Sequence, residues 1–387
     1  MKAFAILLAA LVSAAAASGQ ETTAAAAPAG AEHAPWTLDG SLLVQPLAGY
    51  AGGGSWSTSN LSYGSASTLG VTLRAGSGRA RAEASVEGTV LTGSSAATAS
   101  AVAASPYGRA DELLVPATGA GSAGQDAALA ARIRTLYARL DLDGASFTAG
   151  RQVVNYSRGS LWSPTDIFTE LDLAGISPVR RGTDALRLTV PLGVTAGLDA
   201  VAAPTLTPGD GRYSLRANAL VGDVDAAVVA GRDGSLRGWL FGADFKTDLE
   251  VGLTGEAIYD LPDSGVAGWV RAAAGVDWST GDFVLAAEYY YNGGGASADL
   301  LFPGTHNLYG SVTWSPSELL QLTLEVIADV RGAAGTSTLT ARVSAAQNAD
   351  VTAFLQAGNG SAGYGIGYGV GSASWTAQAG VGLEVKF

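Results

Sequence analysis

The chain has 387 residues, a formal net charge of −12, 53 glycines, no cysteine and only 14% charged residues. The acidic balance argues against a nucleic-acid partner, which selects basic surfaces, and the absence of cysteine excludes disulfides and thiolate metal sites. The glycine content favours strands joined by tight turns over long helices.

The N-terminal segment, residues 1–19, has the layout of a secretory signal peptide. It contains one basic residue, Lys2, then a short apolar run and then small residues. Cleavage after Ala17 and cleavage after Gly19 both suit a small-residue peptidase site. The apolar run falls well short of the roughly 20 residues that a membrane-spanning helix needs. We therefore predict export through a cleaved signal peptide.

The rest of the chain divides into a linker and one domain. Residues 20–35 are rich in Ala and Pro, which predicts a disordered linker. Residues 36–387 contain no run of apolar residues long enough for a transmembrane helix. We expect them to form one folded unit.

Apolar and polar residues alternate along much of this domain. The clearest alternating segments are 81–90, 186–190, 270–277, 320–330 and 375–387. Because side chains point alternately to the two faces of a strand, each segment predicts a strand with one apolar and one polar face. Ile327 interrupts the polar face of its segment. At Arg151 the alternation changes parity, which predicts a bulge near Gly150.

Alternation is compatible with a soluble β-sandwich, whose apolar face lies inside, and with a transmembrane barrel, whose apolar face meets lipid. The segments run for about 9 to 13 residues, which suits a tilted strand that crosses a bilayer better than an ordinary strand. Aromatic residues such as Trp278, Trp314 and Trp375 gather at segment ends. Full charges on the polar faces would be unpaired in a sandwich core. These features favour a barrel.

Short turns alternate with mostly longer connections, as in outer-membrane barrels. The longer connections are predicted at 50–67, 91–131, 155–182, 203–212, 232–235, 260–265, 292–304, 331–335 and 358–371. The segments between them predict an all-β fold, a transmembrane antiparallel β-barrel of about 18 strands with both termini on the short-turn side. Sixteen strands is the alternative, because weak segments such as 222–231 are easily miscounted.

The third long connection contains a helix-start signal. In SPTD, Ser163 can cap a helix and Pro164 suits the first helical position. Asp166 would favour the positive end of the helix dipole. The motif predicts a short helix from Pro164 to about Leu171.

The last strand carries an alternating pattern that ends in an aromatic residue, formed by Val381, Leu383, Val385 and Phe387. Together with the signal peptide and the alternating strands, it resembles bacterial outer-membrane porin-type β-barrels. The stretch GRQVVNYSRGSLWSPTDIF also resembles a loop of poorly characterised porin-like barrels. The resemblance implies a bacterial outer-membrane location, contact with outer-membrane lipid, and recognition of the last strand by the barrel-assembly machinery. The PEFGG-type loop of general trimeric porins is absent, so the oligomeric state stays open.

In porin-type barrels the third outer loop commonly folds inward and narrows the pore. By this resemblance we predict that residues 155–182 do so, with opposed charges that create a transverse field. The alternative is that the loop caps the barrel outside. The predicted constriction residues are Arg158, Asp166, Glu170, Asp172, Arg180 and Arg181. The predicted pore-wall residues are Arg74, Arg81, Glu83, Glu87, Arg139, Arg187, Arg216, Glu250, Glu256, Arg271, Glu288, Glu325 and Arg342.

The sequence predicts no enzyme, no cofactor and no metal site. His306 is the only histidine beyond the linker, and no Ser with a supporting context pairs with it as the nucleophile of a barrel phospholipase would. The predicted function is a porin that allows passive diffusion of small hydrophilic solutes through a charged, water-filled lumen. The alternative is a structural or adhesive surface barrel with a plugged or non-conducting lumen.

Overall fold

The computed structural model of the protein is a closed antiparallel β-barrel of 18 strands. The structure describes residues 36–52, 57–93, 118–122, 127–168, 171–172, 179–180, 182–234, 236–299, 302–331, 334–359 and 375–387. The predicted signal peptide and linker lie outside these residues. The predicted strand number of 18 is confirmed, against the alternative of 16.

Consecutive barrel strands pair with each other. They are β1 (Trp36–Gly52), β2 (Leu61–Ser77), β3 (Ala80–Gly93), β4 (Ala127–Asp141), β5 (Ser146–Gln152), β6 (Thr183–Pro191), β7 (Ala196–Ala203), β8 (Arg212–Val221), β9 (Val224–Asp233), β10 (Gly238–Asp248), β11 (Gly252–Pro262), β12 (Trp269–Thr280), β13 (Phe283–Asn292), β14 (His306–Ser317), β15 (Leu320–Asp329), β16 (Ala334–Ala346), β17 (Ala349–Asn359) and β18 (Trp375–Lys386). A further strand, Thr118–Ser122, pairs with β4 next to β5, and Leu171–Asp172 pairs with Val179–Arg180.

The barrel closes between β1 and β18, which pair from Ser41 opposite Lys386 to Gly52 opposite Trp375. Phe387 extends this seam, since its N–H donates to the Gly40 carbonyl at 3.0 Å and its own carbonyl accepts from the Gly40 N–H at 2.9 Å. No edge strand is left at the seam, so the backbone groups of both terminal strands are paired. Both ends of the ring lie at the short-turn end, as predicted.

The strand register separates an apolar outer face from a largely polar inner face. On β15, Leu324 and Val326 point outward and are exposed, whereas Glu325 points inward and accepts a hydrogen bond from the Tyr309 hydroxyl at 3.0 Å. Strand pairing places inward-facing residues of neighbouring strands opposite each other, as for Asp244 of β10 and Glu256 of β11. Ile327, which interrupted the polar pattern in the sequence, faces inward.

Three 3-10 turns are the only helical elements of the described residues, at Thr58–Asn60, Pro208–Asp210 and Gly295–Ser297. None of the described helices is long and apolar enough to cross a membrane.

The helix predicted from Pro164 is absent from the described residues up to Phe168. The chain makes a single turn there, in which the Asp166 N–H donates to the Ser163 carbonyl at 3.1 Å. The Ser163 hydroxyl, which would cap a helix, donates instead to Glu256 of β11 at 2.9 Å. Because a barrel side chain binds the groups that a helix start would have to satisfy, the capping signal does not lead to a helix.

Gly150 adopts a left-handed backbone conformation, with φ at 117°, in place of the predicted bulge. The pairing of β5 with β4 and with β6 runs without a register shift, and Arg151 lies opposite Leu136 on one side and Asp184 on the other. Arg151 and Asp184 are buried and form an ion pair at 2.8 Å. The glycine, by its backbone angle, therefore accounts for the irregularity that the sequence showed at this point.

Replacement of this glycine tests the assignment. In Gly150→Ala the new Cβ would lie 2.3 Å from the Leu136 carbonyl oxygen, and the backbone angle would be strained. We expect a loss of roughly 1–3 kcal/mol in the free energy of unfolding. Urea unfolding of the detergent-refolded barrel, followed by tryptophan fluorescence, measures it. Gly144→Ala is the matched control, because a Cβ at Gly144 meets nothing within 4 Å. Equal stability of the two variants would contradict the prediction.

Candidate functional site

Residues 153–168, here called the inner segment, run along the inner face of the barrel. Val154 and Phe168 have no exposed surface, and Tyr156 is also buried. They pack against inward-facing apolar residues of β6, β7, β9, β10 and β11, namely Ala185, Val201, Ala203, Val229, Leu240 and Ile258. The inner face is therefore apolar where the first and last parts of the inner segment lie.

A second apolar contact holds the middle of the inner segment. The Trp162 ring stacks on Tyr290 of β13 with ring centroids 5.3 Å apart, and meets Phe302 edge-on at 5.4 Å. Tyr309 and Ile327 are partly buried against the same cluster. Ile327, the exception to alternation in its strand, thus belongs to the surface that receives Trp162.

Glu256 of β11 accepts hydrogen bonds from two stretches of the inner segment. Its Oε1 accepts from the backbone N–H groups of Arg158 at 2.6 Å and Gly159 at 3.1 Å. Its Oε2 accepts from the Ser163 hydroxyl at 2.9 Å and from the Thr165 hydroxyl at 2.7 Å. One buried carboxylate therefore ties together the two sides of the turn around Trp162.

Glu288 of β13 binds the backbone between those two stretches. Its carboxylate accepts from the N–H groups of Ser160 at 2.7 Å, Leu161 at 3.1 Å and Trp162 at 2.8 Å. A Cβ on Gly159 would lie 2.8 Å from Glu288 Oε1 and 2.3 Å from the Trp162 carbonyl oxygen. Gly159 thus allows the backbone to approach the carboxylate closely.

Arg158 joins the inner segment to two further strands. Its guanidinium donates to Asp244 of β10 at 2.9 Å and also pairs with Asp225 of β9. Burial lowers the Arg158 pKa, but the hydrogen bonds that Arg158 donates to these two aspartates outweigh burial, so the pKa is raised. Arg216 of β8 donates to the same Asp244 at 2.7 Å. Arg158 therefore stays charged and neutralised by the wall.

Tyr156 supplies a polar contact near the start of the inner segment. Its hydroxyl donates to Asp199 of β7 at 3.0 Å and lies 3.2 Å from the Ser214 hydroxyl. Burial raises the pKa of Tyr156 well above its ordinary value, and the Asp199 charge raises it further. The Arg216 guanidinium lies over the Tyr156 ring, 5.1 Å from its centroid.

Among the predicted constriction residues, Asp166 and Arg180 lie in direct contact at 2.9 Å. They neutralise each other instead of facing across an opening. Glu170 and Arg181 fall outside the described residues. Asp172 is described only in its backbone, where it pairs with Val179. Arg158, the remaining member, binds Asp225 of β9 and Asp244 of β10, as given above.

All but one of the predicted wall residues lie on the inward-facing side of their strands. These are Arg74, Arg81, Glu83, Glu87, Arg139, Arg187, Arg216, Glu256, Arg271, Glu288, Glu325 and Arg342. Glu250 is the exception, and its prediction as a wall residue is wrong. β10 continues to Asp248 and leaves Glu250 exposed in the turn before Gly252.

The strand register brings further charged side chains to the inner face that the sequence reasoning did not single out. They are Asp39, Arg132, Arg134, Asp141, Asp199, Asp225, Asp244 and Asp260. The sequence pattern also indicates their inward position, because each alternates with outward-facing residues, as Asp244 does with Ala243 and Phe245. The part of the chain that the structure describes contains no group of three or more His, Asp or Glu side chains arranged to hold a metal ion.

The C-terminal pattern and His306 lie away from the inner segment. Val381 and Leu383 are exposed on the outer face, and the Phe387 ring lies over Gly40. Recognition of this strand by assembly machinery stays a prediction. His306 Nδ1 lies 2.6 Å from the Tyr289 hydroxyl at the long-connection end of the barrel, on the outer face.

Comparison with known proteins gives structural similarity without detectable sequence relatives. No family model and no curated protein matches the chain. The fold is similar to a BenF-like porin from Pseudomonas fluorescens Pf-5, with a TM-score of 0.57, 7% identity, and coverage of 91% of this chain and 98% of that one. It is also similar to Pseudomonas aeruginosa OpdK with vanillate, with a TM-score of 0.56, 10% identity and coverage of 90% and 98%. It is similar as well to Acinetobacter baumannii OccAB4, with a TM-score of 0.56, 7% identity, and coverage of 90% of this chain and 98% of that one. At such identities the likeness shows the barrel fold alone.

Removal of each carboxylate tests how the inner segment is held. In Glu256→Ala we expect the amides of Arg158, Gly159 and Thr165 to exchange with deuterium about tenfold faster or more, because hydrogen bonds to a charged acceptor are lost. In Glu288→Ala the faster amides should be those of residues 160–162. Hydrogen-exchange mass spectrometry of the refolded barrel measures both.

Glu83→Ala serves as the control for this comparison. Glu83 is also an inward-facing carboxylate, but it binds Arg74 and Thr135 of the wall. Unchanged exchange over residues 158–165 in both test variants would show that the two carboxylates do not hold the inner segment.

Proposed function

We propose that the protein is a bacterial outer-membrane porin, through which small hydrophilic solutes diffuse passively along a water-filled lumen. The observation that carries the proposal is the combination of an apolar outer face with an inner face that bears paired charges and hydroxyl groups. Such a distribution suits a barrel with lipid outside and water inside. The similarity to solved porins supports the same reading at the level of the fold.

The location and partners follow from the same proposal. A barrel of this kind would be exported by the signal peptide over 1–19, meet outer-membrane lipid through its exposed apolar residues, and be recognised by the assembly machinery through Val381, Leu383, Val385 and Phe387. A passive channel needs no catalytic residue, so the proposal includes no enzymatic activity.

The inner segment is proposed to narrow the lumen. Support comes from its contacts, which extend from Asp199 on β7 to Ile327 on β15. Its hydrogen bonds to Glu256 and Glu288 keep it against the wall. The inner segment, bound along one side of the barrel, would thus form the constriction. Arg158 and the Asp166–Arg180 pair would be the charged groups there.

A structural or adhesive barrel with a plugged lumen remains the second candidate. The observation that favours it is the apolar packing of Trp162, Leu161 and Phe168 inside the barrel, which resembles a core more than a pore lining. Single-channel recording separates the two candidates. Stable conductance steps that scale with salt support the porin, and a folded barrel without steps supports the plug.

Deletion of residues 160–178 tests the narrowing. If the inner segment occupies part of the lumen, we expect the deletion to raise single-channel conductance by roughly twofold or more, since conductance follows the open cross-section of the pore. A matched deletion of the exposed loop residues 264–267 should leave conductance unchanged. Unchanged conductance in a correctly folded 160–178 deletion would exclude the narrowing.

A further inference from the structure

A stripe of uncharged polar side chains follows the inner face of five neighbouring strands, β16, β17, β18, β1 and β2, and continues on β3. It is here called the neutral stripe and consists of the partly exposed Thr68, Thr89, Thr338 and Gln378 together with the buried Gln45 and Gln356. The Thr68 and Thr89 hydroxyls are hydrogen-bonded at 2.9 Å, and Gln356 donates to Thr338 at 2.9 Å. Each of these groups can make further hydrogen bonds.

The neutral stripe lies across the lumen from the inner segment. In a closed ring of 18 strands, β2 and β11 are nine strands apart in either direction, so Thr68 and Glu256 belong to opposite walls. The contacts of the inner segment described above lie on β6 to β15 and on the connection between β13 and β14. A solute that passes beside the inner segment would therefore travel along the neutral stripe.

The arginine and lysine side chains of the lumen form ion pairs with neighbouring carboxylates. Every lumen-facing arginine and lysine of the described strands has a carboxylate partner. The pairs include Arg74 with Asp39 and Glu83, Arg81 and Arg139 with Asp141, Arg132 and Arg134 with Glu87, Arg187 with Asp199, Arg212 with Asp233, Arg216 with Asp244, Lys246 with Asp248, Arg271 with Asp260, and Arg342 and Lys386 with Asp350. Glu256 and Glu288 are engaged by the inner segment. A passing anion therefore finds few positive charges that are not already neutralised, whereas the inward-facing carboxylates Asp277 and Glu325 have no ion-pair partner among the described residues.

We propose that this channel favours uncharged polyhydroxylated solutes, of about monosaccharide size, over anions of the same size. This inference rests on the proposed porin function. In a narrow lumen, an anionic solute loses part of its hydration and regains little from wall cations that are already paired. A sugar exchanges its hydrogen bonds with water for hydrogen bonds with the hydroxyl and amide groups of the neutral stripe, at little cost.

A size-matched set of solutes tests the preference. Glucose, gluconate and glucosamine share one carbon skeleton and differ in charge. Proteoliposomes that contain the full mature barrel are loaded with each labelled solute at one ionic strength and at a pH that keeps glucosamine protonated, and efflux is followed. We expect glucose to leave at least about threefold faster than gluconate, corresponding to the loss of one neutral hydrogen bond or more for the anion, and glucosamine to leave faster than gluconate because unpaired carboxylates such as Glu325 attract a cation.

A pair of variants tests the neutral stripe itself. Thr68→Val with Thr89→Val removes two lumen hydroxyls and keeps the side-chain shape, and should lower glucose efflux relative to gluconate by about two- to tenfold. The control is Ser65→Ala with Thr92→Val. Ser65 and Thr92 form the same kind of hydroxyl pair, at 2.8 Å on the same two strands, but the strand register points them outward. The control should leave the glucose-to-gluconate ratio unchanged.

The outcomes separate this inference from the proposed function. Absence of both efflux and conductance in a folded barrel overturns the porin and the preference together. Measurable conductance together with gluconate efflux as fast as glucose efflux supports the proposed porin and overturns the preference. A glucose preference that both variants leave unchanged overturns the role of Thr68 and Thr89.

Discussion

The inner segment depends on two carboxylates that accept hydrogen bonds from its backbone. A chain inside a barrel leaves the water that would otherwise satisfy its N–H groups, so each group needs an acceptor. Glu288 binds the three consecutive amides of residues 160–162, and Glu256 binds the residues on both sides of them. The apolar packing of Trp162 and Phe168 can then bury side chains without leaving the intervening backbone unsatisfied. The carboxylates themselves are buried among donors, which makes their charge tolerable.

The barrel could be predicted from the sequence because a strand with two different environments must alternate. That constraint acts at every position of every strand, so the strand number and the inward position of residues such as Glu325 and Arg342 could be read from local sequence. Where alternation failed, the exceptions carried information. Ile327 interrupts a polar face because Trp162 packs there. Ile258 and Leu240 are apolar residues on the inner face because they form one buried cluster with Phe168 and Val154.

The parts that could not be predicted depend on contacts between residues far apart in the chain. Ser163 has the sequence of a helix cap, yet its hydroxyl finds Glu256, which is 93 positions away. Arg151 signalled an irregularity, but its cause is the backbone angle of Gly150 and a buried partner, Asp184, on the next strand. Glu250 was predicted on a strand but lies in the turn between β10 and β11, because alternation alone does not fix where a strand ends.

The same contacts determine which charged and polar groups of the lumen are available to a solute. Charges that face each other across an opening would produce a transverse field, whereas Asp166 and Arg180 touch, and Arg158 is held between Asp225 and Asp244. Paired charges have fields that fall off steeply with distance, so they act on a passing ion less than single charges do. In the proposed pore, the inner segment covers the charged and apolar wall on one side, and the hydroxyl and amide groups of the opposite wall border the remaining passage. The segment that is proposed to narrow the barrel would therefore also determine which chemical groups line the opening.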